Sequence, residues 1–441
     1  MKHKRFFILI VLFLVFYMSS NTFAANSDVT TNSALTTNSA LTTNLPKIYG
    51  KAAITVDVAT GEIIYAKNVD KQMYPASTTK LMTALLLAEN REKTDDIKYT
   101  QSAKSQPASS LNVNFHPIGL GENMSSADVM DALLLYSAND AAYMIADNIS
   151  GDSTNFMKMM NDKAAKLNMS GTHFVTPNGI HRQDHYSTPY DMSILARTSF
   201  LNPWVKESMS KKQSTLSTSK GTIFKIENTN KLLGEDGCIA GKTGYTTPAG
   251  RCLVAFYIRN GREVMGVVMG SVMDARDTYV FNDMKKIIDY SYNLQPTVLH
   301  TNNDIIKTET VKYKPLGFFG PEKTVSVPLV AKEDVNYYNN EANKKDLQEN
   351  INLTSIDLSS IEGKKSIGTL TLAEKGKVKT YKLYSTVSKA TLIKNNIPIY
   401  LMAAGICILF LIGIAFIIRI NLNNRKSRRS RRSKFKRTVS K

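Results

Sequence analysis

The stretch Tyr74–Asn90 reads YPASTTKLMTALLLAEN and sets Ser77 three residues before Lys80 at the head of an apolar run. A serine hydroxyl is a weak nucleophile at neutral pH and needs a base to take its proton. Residues i and i+3 share a helical face, so Lys80 reaches Ser77 if the helix begins near Ser77. Lysine is rarely buried. Placed in an apolar run, its pKa falls through burial, and further through a neighbouring positive charge. Such a lysine is a base. The same spacing suits a surface helix with a snorkelling lysine, and S-x-x-K alone does not separate the two.

Two later clusters complete a constellation. In GKTGYTTPAGRCLVAF, Gly241–Phe256, the tripeptide Lys242-Thr243-Gly244 opens an expected strand. Lys242 supplies a charge that keeps Lys80 neutral and attracts a carboxylate. The hydroxyls of Thr243 and Thr246 suit that carboxylate, and Gly244 allows close approach of a substrate backbone along a strand edge. Between the two lies LLLYSANDAA, Leu133–Ala142. There Asn139 is placed to hydrogen-bond a substrate amide, and Ser137 to relay a proton between the lysines and a leaving group. Taken singly, K-T-G reads as a solvated strand start and S-A-N as a polar break in a helix pair.

Together, S-x-x-K, S-x-N and K-T-G form the triple of penicillin-binding proteins and class A β-lactamases. The wider wording resembles the D-alanyl-D-alanine carboxypeptidase family, the low-molecular-mass penicillin-binding proteins. YPASTTKLMTALL, ALLLYSANDAA, THFVTPNGI, HYSTPYDMSILAR, NTNKLL and GKTGYTTPAGRCLVA follow one another in that family's order. The likeness covers Lys47–Leu294 closely and the segment to Ala390 more loosely. It implies an α+β catalytic domain, an antiparallel sheet with helices, followed by a small all-β domain. It implies a serine peptidase acting on peptidoglycan stem peptides that end in D-Ala-D-Ala, with β-lactam antibiotics as covalent inhibitors. Ser77 would be the nucleophile, Lys80 the general base and Ser137 the proton relay. Asn139, Lys242, Thr243, Gly244 and Tyr245 would hold substrate, with the amides of Ser77 and Tyr245 as the oxyanion hole. Two departures stand out: Ser-Ala-Asn where the family more often has glycine in the middle, and a spanning helix where many relatives carry an amphipathic one.

No cofactor or metal is called for. His116, His173, His181 and His185 supply no metal-ligand set, and His185 reads as structural. A β-lactamase would need a water-activating glutamate, and only Glu207, Glu227 and Glu235 lie between Asn139 and Lys242. A penicillin-sensing receptor would need a folded cytoplasmic domain, for which the short tail leaves no room.

The elements that must position these residues follow from pattern. AAITVDVATGEIIYAKN is a hairpin turning at Ala59–Gly61, and RCLVAFYIRNGREVMGVVMGS is another turning on Asn260-Gly261. Helical patterns fill the middle, one beginning at Ser125 or Ser126 with Asp128 in its first turn, and another capped by Asp191. The first and last strand runs are expected side by side in a sheet covered by helices. From Pro296 to Ala390 short alternating runs separated by turns indicate the β domain.

The ends carry targeting. The chain has 441 residues and a net charge of +19. Eleven Lys/Arg without an acid lie in 419–441 and three more among the first five residues, which leaves +5 for the body. The excess is therefore terminal, and no nucleic acid partner is expected. Residues 1–24 read as a signal peptide and 25–46, with its repeated TTNSAL, as a flexible spacer. The catalytic domain then runs 47–295 and the β domain 296–390. Residues 397–418 are uncharged and, as a helix, about 33 Å long, enough to cross a membrane. The basic tail 419–441 belongs in the cytoplasm and the body outside. Three cysteines give no disulfide framework.

Overall fold

The β-rich runs flanking Ala59–Gly61 form a hairpin of β1 (Ala52–Asp57) and β2 (Ile63–Lys67). Asp57 closes it, accepting from the amides of Ala59 and Thr60 at 3.1 and 3.0 Å. The computed structural model describes residues 45–317, 320–354 and 365–438. The expected signal peptide and residues 25–44 of the spacer lie outside the described residues.

A 3-10 turn, Ala76–Thr79, leads into α1 (Lys80–Asn90). A short pair, β3 (Asp96–Lys98) and β4 (Asn123–Ser125), precedes α2 (Ser126–Asp131). Ser125 caps α2, its hydroxyl accepting from the Asp128 amide at 3.0 Å. The helical pattern that begins here is not one helix. It widens into a π-turn at Ala132–Tyr136, breaks at Ser137 with φ +72°, and resumes as α3 (Asn139–Ser150). Then come α4 (Ser153–Lys166), α5 (Pro189–Leu201), α6 (Pro203–Ser210) and the hairpin β5 (Gln213–Ser217) and β6 (Ile223–Glu227). The chain closes the unit with β7 (Cys238–Thr246), β8 (Gly250–Arg259), β9 (Arg262–Ser271) and α7 (Tyr279–Asn293).

These strands make an antiparallel sheet in the order β2-β1-β9-β8-β7. The first run lies beside the last, as the sequence suggests, and β7 stands at an edge. Both faces are covered, so β1 reads as an almost unbroken apolar run. Ala53, Leu253, Ala255 and Val264 pack on α7 through Met284 and Ile287. Their alternate neighbours Ile54, Val254, Phe256 and Met265 face the helical layer. Helix α1 lies in that layer, buried from Lys80 to Leu87, so the lysine at its first position is enclosed by protein.

Two corrections concern local signals. Asp191 does not cap α5: Thr188 does, accepting from the Asp191 amide at 3.0 Å. Asp191 sits in the first turn and accepts from the Gly171 amide and the Thr172 hydroxyl. Lys242-Thr243-Gly244 does not open its strand either, because β7 begins four residues earlier at Cys238.

The following unit is β-rich with one helix added. It comprises β10 (Thr297–His300), β11 (Ile305–Tyr313), β12 (Lys323–Ala331), β13 (Val335–Tyr337), α8 (Glu341–Asp346), β14 (Gln348–Leu353), β15 (Gly368–Glu374) and β16 (Lys377–Ser385). Its main sheet runs β11-β12-β16-β15-β14 around a core of its own that includes Leu329, Leu370 and Leu383. At the junction Asn340 and Asn343 donate to the Ile63 carbonyl at 2.8 and 3.1 Å, and Lys375 pairs with Asp70 at 2.8 Å. Last comes α9 (Lys389–Thr438), which contains the uncharged stretch and runs through Pro398. It is long and apolar enough to cross a membrane.

Candidate active site

The Ser77 turn is held from two sides. Ala76, immediately before it, has φ +48°, a costly conformation for a non-glycine residue that persists only where the surroundings enforce it. The enforcement comes from the 176–185 segment. Gly179 lies so close that a Cβ there would stand 1.9 Å from the Ala76 carbonyl oxygen. His185 Nε2 meets the Thr79 hydroxyl at 2.8 Å, and Thr83 donates to the Pro177 carbonyl at 2.5 Å. His185 Nδ1 accepts from the Val175 amide at 3.1 Å, so the ring is a neutral Nε2–H tautomer that donates to Thr79. Burial, with His173 adding to it, brings the His185 pKa down to about 4. The structural reading of His185 holds, and the thing it supports is the nucleophile's turn.

On the other side stands β7. A Cβ at Gly244 would lie 3.0 Å from the Ser77 amide nitrogen and 3.1 Å from the Pro75 carbonyl oxygen. The glycine thus makes room for the Ser77 turn against the strand. Gly244 also lines the cleft.

Lys80 has 0% exposure. Its Nζ contacts Ser77 Oγ at 2.9 Å, Asn139 Oδ1 at 3.0 Å and the Asn178 carbonyl at 2.8 Å. Burial first, and the charge of Lys242 second, hold its pKa well below the usual lysine value, against a smaller opposing pull from Asp140. A neutral amine has two N–H bonds, which the two carbonyl oxygens take, and one lone pair, which faces the Ser77 hydroxyl. Asp140, 0% exposed, is itself satisfied by the amides of Leu111, Asn112 and Ala141 at 3.0 Å and by Tyr99.

Ser137 reaches the cleft because the π-turn and the left-handed residue turn it out of the helix; its hydroxyl is without a hydrogen-bond partner among the described residues. Asn139 is also in the wall, but its amide nitrogen donates to the Ala108 carbonyl at 2.9 Å and its oxygen accepts from Lys80. Lys242 has 1% exposure and donates to the Thr243 carbonyl at 3.0 Å. Burial, and then Arg251, bring its pKa down to about 7. The Thr243 hydroxyl meets that of Thr229 at 2.7 Å, and Thr229 donates onward to the Leu135 carbonyl.

Ser77, Ser137, Asn139, Thr243, Gly244 and Tyr245 line one cleft of about 470 Å³. Lys80 and Lys242 lie beneath its floor. The remaining wall includes Thr229 and Arg251, which sequence reasoning passed over. Arg251 pairs with Asp277 and stands 5.9 Å from the centre of the Tyr245 ring. Such a site can deprotonate a serine in a dry, fixed setting and hold an anion beside it.

Residues 39–273, more than half of the chain, match the family described as Peptidase_S11, D-alanyl-D-alanine carboxypeptidase. The D-alanyl-D-alanine carboxypeptidase DacF of Bacillus subtilis (strain 168) is 30% identical over 337 residues, which is 74% of this chain and 82% of that protein. The chain belongs to the D-alanyl-D-alanine carboxypeptidase family. DacD of Escherichia coli (strain K12), another D-alanyl-D-alanine carboxypeptidase, is 31% identical over 239 residues, covering 51% of this chain and 59% of its own length. Among solved structures, the D-alanyl-D-alanine carboxypeptidase of Mycobacterium tuberculosis H37Rv superposes with a TM-score of 0.54 at 25% identity, over 58% of this chain and 96% of that one. The Streptomyces K15 DD-transpeptidase gives 0.52 at 28% identity, over 57% and 99%. Membership makes the chain a hydrolase, a peptidase of the cell wall with a penicillin-binding-protein fold.

Proposed function

We propose that the chain removes the terminal D-alanine from peptidoglycan stem peptides through an acyl-enzyme on Ser77. The observation that carries this is the 2.9 Å contact of a fully buried, neutral-leaning Lys80 with Ser77 Oγ. Lys80 takes the hydroxyl proton as Ser77 Oγ bonds to the carbonyl carbon of the penultimate D-alanine. The oxyanion forms beside the amides of Ser77 and Tyr245, a reading supported by the close approach of Gly244 to the Ser77 amide. The Thr243 hydroxyl holds the terminal carboxylate, which the charge of the buried Lys242 attracts and whose arrival favours the charged form of Lys242. Ser137 passes the proton to the departing D-alanine nitrogen as the C–N bond breaks. Water then cleaves the ester with Lys80 as base, releasing the shortened peptide. Asn139 orients Lys80 and lines the cleft.

On this reading 47–295 is the catalytic domain and 296–390 positions it. Residues 1–24 are a cleaved leader, 397–418 a single span and 419–441 a cytoplasmic tail, so chemistry takes place outside the membrane. Trimming stem peptides limits cross-linking and so bears on cell shape. Penicillin, presenting a strained amide and a carboxylate, acylates Ser77 in the same way. The β-lactamase alternative finds little support: Glu207 pairs with Lys93 and Glu235 with Lys285, and neither they nor Glu227 lines the cleft. The test is D-alanine release from a D-Ala-D-Ala peptide alongside labelling by fluorescent penicillin. Both should vanish in Ser77→Ala; a labelled variant would place the nucleophile elsewhere.

A further inference from the structure

Helix α9 follows β16 after three residues. Its first turns pack on that unit, with Leu392 and Asn396 buried. Asn396 donates to the Tyr313 hydroxyl at 2.6 Å, and the Tyr400 hydroxyl donates to the Pro315 carbonyl at 3.2 Å. Tyr400 already belongs to the uncharged stretch that begins at Ile397, about 4.5 Å further along the axis. From Leu401, 67% exposed, the helix shows apolar side chains all round. The turn Tyr313–Gly317, closed by the Gly317 amide on the Lys314 carbonyl at 2.9 Å, therefore stands level with the first turn of the stretch. Its surroundings suit a bilayer boundary. Tyrosines favour the headgroup level, Leu316 is half-buried, Lys312 and Lys314 flank Tyr313, and Lys394 lies two residues before Asn396, which donates to the Tyr313 hydroxyl. No acidic residue occurs in 310–321 or 375–418.

We infer that the 313–317 turn is a second membrane contact. It seats the β-rich unit directly on the outer leaflet, with Leu316 at the acyl boundary and the lysines on anionic phospholipid headgroups. The inference rests on the reading of 397–418 as a span. It differs from a tether because the height and tilt of the catalytic cleft above the membrane become fixed.

Full-length protein carrying Cys407→Ala, reconstituted in nanodiscs of phosphatidylcholine and phosphatidylglycerol, tests both. Single cysteines are placed by Leu316→Cys, Leu409→Cys and, as the exposed control, Lys220→Cys; each bears a small fluorophore. Cys238 and Cys252 remain, both buried. The Leu409 label should be reached by deep lipid-borne nitroxides and shielded from iodide. The Leu316 label should be quenched at least about twofold more by headgroup-level nitroxides, and at least about twofold less by iodide, than the Lys220 label. Lys312→Glu combined with Lys394→Glu should reduce that quenching in the anionic discs. A Leu316 label that behaves like Lys220 while Leu409 is embedded overturns the seating and leaves the span. A Leu409 label open to iodide overturns the span and the seating together. Quenching at Leu316 untouched by charge reversal overturns the role given to anionic headgroups.

Discussion

Lys80 Nζ lies 2.9 Å from Ser77 Oγ with its other two bonds directed at Asn139 Oδ1 and the Asn178 carbonyl. Both acceptors are oxygens that cannot donate in return, so the arrangement leaves the amine's lone pair to the serine. An arginine at this position stays charged and offers no lone pair. Lys80→Arg should slow penicillin acylation by on the order of 10³-fold, the usual scale for losing a positioned base. Stopped-flow acylation at the native rate would remove Lys80 from that role.

Lys242 is the second buried cation, with a pKa of about 7 set by burial and by Arg251. In the free enzyme it loses its charge as pH rises through that value, while a bound carboxylate keeps the charge in place. The ratio kcat/KM reports the free enzyme. For a peptide with a free terminal carboxylate, kcat/KM should therefore fall as pH rises through about 7. For the same peptide as its terminal amide, that alkaline fall should be absent. Lys242→Arg should remove the fall for the acid as well, since arginine does not titrate there. Identical alkaline limbs for acid and amide would take the carboxylate away from Lys242.

Gly244 tests the fit between β7 and the Ser77 turn. A Cβ 3.0 Å from the Ser77 amide and 3.1 Å from the Thr78 amide meets the backbone of the turn, so the turn must shift against the strand by a few tenths of an ångström. Gly244→Ala should lower kcat by roughly 10²-fold through displaced oxyanion donors, with the melting temperature little changed. Gly179→Ala meets the Ala76 carbonyl oxygen at 1.9 Å with φ +80°, and should cost roughly 3 kcal/mol or more of stability. A fully active Gly244→Ala enzyme would show that the close approach is dispensable.

Much of this site is legible because its chemistry demands residue types that stand out. A lysine in an apolar run, a second lysine beside a glycine, and a Ser-x-Asn between helices are visible without coordinates. The Asn178 carbonyl is not, since every residue has one; it reaches Lys80 from 98 positions away. Gly244 is visible as a glycine, but the turn it makes room for is remote in sequence, so that part of its role is not. The cap of α5 was open to a better reading. Thr188-Pro189-Tyr190-Asp191 has threonine, then proline at the first helical position and an acid three residues on, which is a helix start centred on Thr188. The hairpins were readable from alternation and turn residues. The polar break at Ser137 is readable too, but the π-turn before it is not, because it leaves the apolar pattern of Leu133–Leu135 intact.

His185 gives a prediction in acid. Its pKa is about 4 in the folded chain and near 6.5 when unfolded. The unfolded state therefore binds the extra proton first, and stability is lost as pH falls from about 6.5 to about 4. The loss attributable to this ring is at most roughly 3 kcal/mol. His185→Gln, which can still donate to Thr79, should lose less stability than the wild type between pH 7 and pH 4.5, measured as the shift in urea midpoint. Equal shifts in the two proteins would mean that His185 is not the group that charges on acid unfolding.

The last prediction separates enzyme from sensor and from β-lactamase. A protein limited to Leu45–Ala390 keeps every residue that lines the cleft, both lysines beneath it and the junction through Asn340 and Lys375. It lacks the residues before Leu45, the first turns of α9 with the buried Leu392 and Asn396, the stretch read as a span, and the tail. It should be soluble and should release D-alanine from a D-Ala-D-Ala peptide repeatedly, at the full-length rate on short substrates, because departure of the D-alanine opens the acyl-enzyme to water. With penicillin it should form a long-lived adduct, because the opened ring stays attached and stands in the water's path. The cleft as described has no glutamate in its wall to activate that water. A sensor would hold the adduct and release no D-alanine. A β-lactamase would turn penicillin over rapidly and leave the peptide untouched. Rapid penicillin turnover without D-alanine release would overturn the roles of Ser77, Lys80 and Lys242, since those roles clear an acyl-enzyme whose leaving group has departed but not one whose leaving group stays attached.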